Sequence, residues 1–250
     1  MFQTGLVSVS FRKESPEAII SAVCHAGLDG IEWGGDIHVP PGDIKNAARI
    51  GLLTEEAGLK SFAYGSYYRL GQSARPEENF KRTAETALAL GAPVIRIWAG
   101  VKGSNETAPD SRAAMEQEVS KLAEIADRYK ADIALECHPG TLTDDWKSSL
   151  DFIHTVNHPR VKLYWQPNQF HDEAYNRMAA CELAPYTINL HVFHWDAQRR
   201  YPLSDGCAAW NTYLKPFQSQ QNRYGLLLEF MHDDRMESLA DTAATLKSWI

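Results

Sequence analysis

The chain has 250 residues, of which 44% are hydrophobic and 23% charged, and its formal net charge at pH 7 is −7. This length is enough to bury one large core, and the composition is that of an ordinary globular protein. The negative charge, without any run of Lys or Arg, argues against binding to nucleic acid, because such binding depends on neutralising phosphates.

The N-terminal segment and the cysteines indicate the cellular setting. No basic region precedes the first apolar residues, and no apolar run reaches the ~18 residues of a membrane span. The sequence therefore predicts a cytoplasmic protein that does not contact membranes. The cysteines are far apart and form no CxxC pair, which predicts reduced thiols in or near the core rather than disulfides or a thiolate zinc site. They are Cys24, Cys137, Cys181 and Cys207.

Apolar runs typical of buried strands alternate with amphipathic helical segments along the whole chain. The predicted strands cover residues 5–11, 30–34, 60–67, 93–99, 131–137, 161–166, 188–193 and 224–230. Helical segments lie between them, among them 18–26, 79–90 and 111–129, and glycines suited to a left-handed C-cap follow three helices, at Gly27, Gly58 and Gly91. Eight strand–helix units, spaced by about 31 residues, predict a single (β/α)8 barrel over residues 1–250 with no second domain.

The last four predicted strands each end in a polar side chain after an otherwise apolar run: Glu136, Gln166, His191 and Glu229. In such barrels the active site lies at the C-terminal strand ends. Because side chains alternate along a strand, all four are expected to point into the barrel together with the residues two positions earlier. Two carboxylates, an imidazole and an amide oxygen suit a divalent ion, and burying two carboxylates together is costly without a cation. The pattern predicts one ion of manganese, magnesium, cobalt or zinc.

Several motifs surround these positions: Gly30-Ile-Glu-Trp33, Leu135-Glu-Cys-His138, Leu190-His191 with Pro202-Leu-Ser-Asp-Gly206 and Trp210 downstream, and Tyr224-Gly-Leu-Leu-Leu-Glu229. Through them the whole chain resembles the xylose isomerase-like TIM barrel family of sugar phosphate isomerases and epimerases, which includes inosose dehydratase and an endonuclease IV branch. The resemblance implies a metal held by strands five to eight, with Glu136 and Glu229 as catalytic acid and base. The chain departs from the family at strand six, where Gln166 replaces an aspartate and removes one negative charge.

The resemblance implies a sugar isomerase or epimerase that transfers a proton through a metal-bound enediolate. Two alternatives remain open. One is an inosose-type dehydratase, which expels a β-hydroxyl, and the other is a non-catalytic sugar-binding barrel, which Gln166 would suit. The net charge disfavours an endonuclease. The expected partner is a small sugar or sugar-derived molecule, and a homo-oligomer is compatible with the sequence.

Other side chains near the predicted strand ends are candidates for binding the substrate. Histidine and arginine suit hydroxyl groups, and aromatic rings suit the C–H face of a sugar. The candidates are His138, His194, Arg199 or Arg200, Trp33, Tyr64, Trp98 and Trp195. The loop after strand eight, Met231-His-Asp-Asp-Arg235, is acidic, whereas a phosphate would favour a glycine-rich cradle there. The sequence therefore favours an unphosphorylated sugar.

Overall fold

Strands and helices alternate along the chain, as the sequence predicted. The structure, a computed structural model, describes residues 1–220 and 222–250, and over these residues each of eight strands is followed by an α-helix. The strands are β1 Phe2–Val7, β2 Gly30–Gly34, β3 Lys60–Arg69, β4 Val94–Trp98, β5 Asp132–Glu136, β6 Val161–Trp165, β7 Thr187–Val192 and β8 Tyr224–Leu228. The helices are α1 Pro16–His25, α2 Ile44–Glu56, α3 Pro76–Leu90, α4 Pro109–Arg128, α5 Trp146–Val156, α6 Glu173–Leu183, α7 Cys207–Gln218 and α8 Leu239–Lys247.

The strands form a closed parallel barrel. Each strand pairs with the next one in the chain, and β8 pairs with β1. This confirms the predicted (β/α)8 barrel. Because all strands run in the same direction, their C-terminal ends and the loops that follow meet at one end of the barrel, which we call the mouth.

Capping residues explain where individual helices begin and end. Ser15 caps α1 by accepting a hydrogen bond from the Ala18 N–H, and Pro16 occupies the first turn, where no N–H partner is needed. The α3 helix ends at Gly91, whose φ of 73° is the left-handed conformation of a glycine C-cap. The prediction placed the start of α1 two residues late, because a capping turn carries little apolar periodicity.

The first strand differs from its predicted range of 5–11. β1 ends at Val7, and Ser8–Phe11 forms a 3-10 turn. The hydroxyl oxygen of Ser8 accepts a hydrogen bond from the Gly34 N–H at 2.8 Å, so this side chain replaces a further backbone pair with β2. An apolar run does not distinguish a strand from a buried turn, which is why the prediction was too long.

The third strand is longer than predicted and ends at Arg69 rather than at residue 67. Its pairing with β4 is irregular between Gly65 and Tyr68. There the Ser66 hydroxyl donates a hydrogen bond to the Arg96 carbonyl at 2.8 Å, and ordinary pairing resumes at Tyr68. As a result, β3 continues to Arg69, at the same end of the barrel as the mouth.

Apolar side chains form an inner and an outer core. The inner cluster fills the barrel and contains Val7, Val9, Ala63, Val94, Ala134, Tyr164 and Leu227. A larger cluster lies between the strands and the surrounding helices. Ala134, Tyr164 and Leu227 belong to the inner cluster, so the inward faces predicted for three of the last four strands are confirmed.

The predictions on membrane contact and cysteines concern the outside of the barrel. Within the described residues, no helix is both long and apolar enough to cross a membrane. The cysteines are free thiols, as predicted, but Cys24 and Cys181 are exposed instead of lying in or near the core. Both lie on helices, α1 and α6, on faces that do not pack against the barrel.

Candidate metal and substrate site

The side chains predicted as metal ligands lie together inside the mouth. Glu136 ends β5 and His191 lies in β7, whereas Gln166 and Glu229 directly follow β6 and β8. All are buried, and Glu229 has the largest exposed fraction of these four, 9%. They converge because each lies two residues beyond an inward-facing residue on one of four adjacent strands. We call these four side chains the ligand cluster.

Distances in the ligand cluster fit a bound divalent ion. The Nδ1 atom of His191 is 3.0 Å from Gln166 Oε1, 3.4 Å from Glu229 Oε2 and 3.5 Å from Glu136 Oε1. Ligand atoms about 2.1 Å from an ion are separated by roughly 3.0 Å in an octahedral site and roughly 3.4 Å in a tetrahedral site. The distances from His191 are therefore compatible with a shared ion, and one ligand atom each of Glu136, His191 and Glu229 lies within 4.8 Å of the others.

Three buried side chains lie beneath the ligand cluster, and we call them the charged floor: Glu32, Arg96 and Tyr164. Arg96 donates from Nε to Glu32 Oε1 at 2.7 Å and from Nη1 to Glu136 Oε2. The Tyr164 hydroxyl donates to Glu32 Oε2. The side chains of Arg96 and Glu32 are 2% and 0% exposed, so this ion pair is removed from water.

A glycine on β3 makes room for the charged floor. A Cβ added at Gly65 would lie 2.7 Å from Arg96 Nη2 and 2.8 Å from Glu32 Oε1. Such contacts are shorter than van der Waals packing allows, and both atoms belong to a buried ion pair that has no space to move. A side chain at residue 65 would therefore displace the floor.

The charged floor also orients the candidate histidine ligand. His191 Nε2 is 3.3 Å from Glu32 Oε2, while Nδ1 faces the oxygens of the ligand cluster. A proton on Nε2, held by Glu32, leaves the Nδ1 lone pair directed at the cluster. Metal-binding histidines commonly have a carboxylate partner that fixes their tautomer in this way.

The site has an excess of negative charge. The three carboxylates of Glu32, Glu136 and Glu229 and the guanidinium of Arg96 sum to −2 when ionised. Burial alone would lower the pKa of His191, but the charges of Glu229, Glu32 and Glu136 outweigh burial and raise the pKa to about 10. Without an ion, the protonated imidazole supplies positive charge; a divalent ion would balance the −2 with His191 neutral.

The two glutamates of the ligand cluster have opposite pKa shifts. Burial opposes ionisation of Glu136, but Arg96 and His191 outweigh it and hold the pKa of Glu136 well below its usual range. Burial raises the pKa of Glu229. The nearby charge of Glu136 raises it further, and together these two effects outweigh His191, which lowers it. Burial would likewise raise the pKa of Glu32, but Arg96 and His191 lower it to about 2. Glu32 and Glu136 are thus firmly held carboxylates.

Two of the predicted substrate-binding side chains border the ligand cluster. Trp98 Nε1 donates a hydrogen bond to Glu136 Oε2. The His138 ring lies 5.0 Å from the Trp98 ring, centroid to centroid, and His138 Nδ1 contacts the Pro139 carbonyl at 2.7 Å. Both positions are compatible with contact to a molecule bound at the cluster.

Two other predicted contacts, Trp33 and Tyr64, lie elsewhere. Both are 0% exposed and belong to the outer core between the strands and the helices. The Tyr64 hydroxyl donates to the Val39 carbonyl at 2.7 Å. Because Glu32 points into the barrel, alternation along β2 turns Trp33 outward. The prediction that these two rings contact substrate is therefore corrected.

The predicted contacts on the loop after β7 are held by the loop itself. His194 packs against Gly206 and lies 5.4 Å from the Tyr201 ring. The Arg199 guanidinium lies 4.4 Å from the same tyrosine ring. Neither side chain forms a hydrogen bond to the ligand cluster among the residues that the structure describes. Arg200, the alternative to Arg199, pairs with Asp234.

Sequence reasoning missed the charged floor as a functional group. Arg96 carries a recognisable signal, because it is a single charged residue in the apolar run Val94-Ile-Arg-Ile-Trp98. A charge in the centre of a strand covered on both faces must be paired. Tyr164 was identified only as an inward-facing residue, and Glu32 only as part of a family motif.

Removing the guanidinium should destabilise the fold strongly. We expect Arg96→Met to lower the free energy of unfolding by about 3–5 kcal/mol, because Glu32 and Glu136 would then be buried without their cation. The measurement is urea denaturation of the chelated protein. A matched control is Arg49→Met, which breaks an exposed ion pair with Glu17 and should cost less than about 1 kcal/mol.

The double variant Arg96→Met/Glu32→Gln tests the cause of this loss. If the unpaired carboxylate is responsible, neutralising Glu32 should recover part of the stability, and the two changes should be far from additive. Additive losses would mean that Arg96 contributes packing rather than charge compensation.

The fold and site together define a (β/α)8 barrel with a candidate divalent-metal site at its mouth. Residues 20–249 match the xylose isomerase-like TIM barrel family, and the chain belongs to that family. A 3-dehydroshikimate dehydratase of Bacillus anthracis is 26% identical over 166 residues, which span 64% of this chain and 59% of that relative.

Solved structures of the same fold include two enzymes with different reactions. A probable 3-DHS dehydratase from Bacillus anthracis has a TM-score of 0.81 and 20% identity, covering 99% of both chains. The 3-keto-D-glucoside 4-epimerase of E. coli has a TM-score of 0.77 and 17% identity, covering 99% of this chain and 100% of that one. At these identities the likeness concerns the fold alone, so the reaction must be argued from the site.

Proposed function

We propose that the protein is a metal-dependent sugar isomerase or epimerase that moves a proton on the carbon next to a carbonyl group. The observation that carries the proposal is the buried pair Glu136 and Glu229, whose oxygens are 3.5 and 3.4 Å from His191 Nδ1. Two carboxyl groups at one ion site provide both a ligand set and the acid and base for proton transfer. Membership in the xylose isomerase-like family supports this function.

The two glutamates are held differently, which assigns them different tasks. Glu136 Oε2 accepts hydrogen bonds from Arg96 and Trp98, so this carboxylate is fixed in place. Glu229 is the more exposed of the two. Among the described ion pairs it takes part in one, between its Oε2 atom and His191. Glu229 is therefore the better placed group for proton exchange with a substrate at the mouth, with Glu136 as its partner across the site.

The proton steps balance without a further reactant. One glutamate takes the proton from the carbon beside the carbonyl; the C–H electron pair forms a carbon–carbon double bond, and the π pair of the carbonyl moves to its oxygen. Return of a proton to the opposite face of the same carbon restores the carbonyl and gives the epimer. Return of a proton to the former carbonyl carbon gives the isomer, provided that the adjacent hydroxyl proton moves to the former carbonyl oxygen. A divalent ion bound by Glu136, Gln166, His191 and Glu229 would supply Lewis acidity toward the substrate oxygens.

A dehydratase is the second candidate, and the 26% identical relative favours it because it is a 3-dehydroshikimate dehydratase. The first step is the same removal of a proton beside a carbonyl. The electron pair then forms a carbon–carbon double bond while the β-hydroxyl leaves with a proton as water. The same two glutamates serve as base and acid, so the ligand cluster is common to both candidates.

Removing the metal should abolish the activity. We expect the chelated protein to lose turnover and to regain it with manganese, magnesium or cobalt, since the site has few other electrophiles for the substrate oxygens. Metal content is measured by mass spectrometry, and turnover on a panel of ketoses, sugar acids and 3-dehydroshikimate by NMR in deuterated water. Deuterium incorporation without loss of water identifies an isomerase or epimerase, and a product lighter by one water identifies a dehydratase. Full turnover by metal-free protein would contradict the proposal.

A further inference from the structure

The end of β3 places an arginine over the mouth. Along this strand Ala63 belongs to the inner core, and a Cβ at Gly65 would point at the charged floor. Pairing with β4 is irregular between Gly65 and Tyr68, but Arg69 then pairs in register with Trp98, so the two residues lie side by side on neighbouring strands. The Arg69 guanidinium lies 3.7 Å from the centroid of the Trp98 ring.

This stacking ties Arg69 to the candidate site. Trp98 donates its indole N–H to Glu136, a member of the ligand cluster. The Trp98 side chain therefore stacks against the Arg69 guanidinium with its ring face and binds Glu136 through the N–H at its ring edge. Arginine commonly stacks on an aromatic face in this way, which fixes the plane of its N–H groups and leaves them available.

Arg69 is partly buried and has no anionic partner, whereas Arg199, the other arginine at the mouth outside the described ion pairs, is exposed to water. Arg12 pairs with Asp36, Arg96 with Glu32, and Arg200 with Asp234. For Arg69 the described part of the chain offers no carboxylate within 4 Å and no hydrogen bond to its guanidinium, although the residue is half-buried. A partly desolvated guanidinium without a partner is unfavourable unless an anion binds there.

We infer that Arg69 binds a carboxylate group of the substrate, so that the substrate is a hydroxylated carboxylic acid rather than a neutral sugar. The inference rests on the proposed function, because it takes the ligand cluster as the reaction site. The planar guanidinium forms two parallel hydrogen bonds with a carboxylate, and Trp98 holds it beside the reacting carbon near Glu136. A phosphate is disfavoured because the loop after β8, where barrels of this fold commonly bind phosphate, carries Asp233 and Asp234 instead of a glycine-rich cradle.

Binding of matched acid and neutral compounds tests this inference. The probes are D-gluconate against D-glucitol and shikimate against its methyl ester, titrated calorimetrically into the manganese-loaded protein. We expect the acid of at least one pair to bind about tenfold or more tightly than its neutral partner, and Arg69→Gln to remove that difference. Arg69→Lys, which keeps the charge but loses the planar fork, should retain part of it.

Controls separate this inference from structural effects. Arg75→Gln changes the N-cap residue of α3, whose side chain is 72% exposed, and it should leave all affinities unchanged. Circular dichroism and thermal unfolding check that the Arg69 variants fold. If Arg69→Gln does not fold, Arg69→Lys still tests the inference.

The outcomes also separate the inference from the proposed function. Acids that bind no better than neutral compounds, or an acid preference that survives in Arg69→Gln, would overturn the role of Arg69. Turnover of a neutral ketose with no acid preference would overturn the inference and leave the isomerase proposal standing. Acid binding that depends on Arg69, without turnover of any compound, would support the inference and reject the proposed reaction.

Discussion

Glu229→Gln and Glu136→Gln should each reduce turnover by about 10²- to 10⁴-fold, because each change removes a group that transfers a proton. Glutamine keeps the shape of the side chain and an oxygen that can still contact a metal, so the loss should appear mainly in kcat. The measurement is steady-state turnover at a metal concentration that saturates each variant. Near-normal turnover in either variant would exclude that glutamate from proton transfer.

The two variants should differ in stability. Glu136→Gln leaves Arg96 with one carboxylate partner instead of two, whereas Glu229 has no hydrogen bond to the charged floor among the described residues. We therefore expect Glu136→Gln to unfold at a lower urea concentration than Glu229→Gln. A matched control is Glu106→Gln, an exposed position on the loop after β4, which should change neither turnover nor stability. A loss of turnover in this control would point to a nonspecific charge effect.

Gln166→Asp should tighten the binding of magnesium or manganese by roughly tenfold or more. Gln166 Oε1 is 3.0 Å from His191 Nδ1, so an aspartate there would add a third carboxylate to the ligand cluster and bring the combined charge with the floor to −3. The neutral amide withdraws less positive charge from an ion, so the wild-type site should be the stronger electrophile. Calorimetric titration should show higher metal affinity, and turnover should be equal or lower.

A negative charge placed three residues further along the same loop controls for long-range attraction of the ion. Gln169→Glu adds the same charge on the loop after β6, at a half-exposed residue outside the ligand cluster, and should change metal affinity far less than Gln166→Asp. Equal effects of the two variants, or unchanged affinity in Gln166→Asp, would show that Gln166 does not contact the ion.

Much of the barrel was predictable because its signal is local. Alternating apolar and polar runs reveal the strands, and the order of strands and helices leaves few topologies for a parallel sheet. The ligand cluster was predictable for the same reason, since Glu136, Gln166, His191 and Glu229 each end an apolar strand. The errors occurred where the local signal is ambiguous. Ser8–Phe11 is apolar enough for a strand, but it forms a turn.

Position near a strand end did not predict which way an aromatic ring points. Trp33 and Trp98 were both proposed as substrate contacts, yet Trp33 lies in the outer core and Trp98 contacts Glu136. The inward position of Glu32, if recognised from the start, would have placed Trp33 on the outer face. A shift of one residue along a strand moves a side chain from the inner to the outer face. The apolar composition of a strand that is covered on both faces does not reveal which residues face inward.

The sequence by itself determined the family, the barrel and the four residues of the ligand cluster, because each depends on periodicity and on motifs within single strands. Only the tertiary structure decided that Glu32 and Arg96, which are 64 residues apart, form a buried ion pair beneath those residues. It also decided that Arg69 lies over Trp98 without a carboxylate partner in the described chain. Closing the barrel brings these side chains together, and pairings between distant strands leave no periodic pattern in the sequence from which they could be predicted.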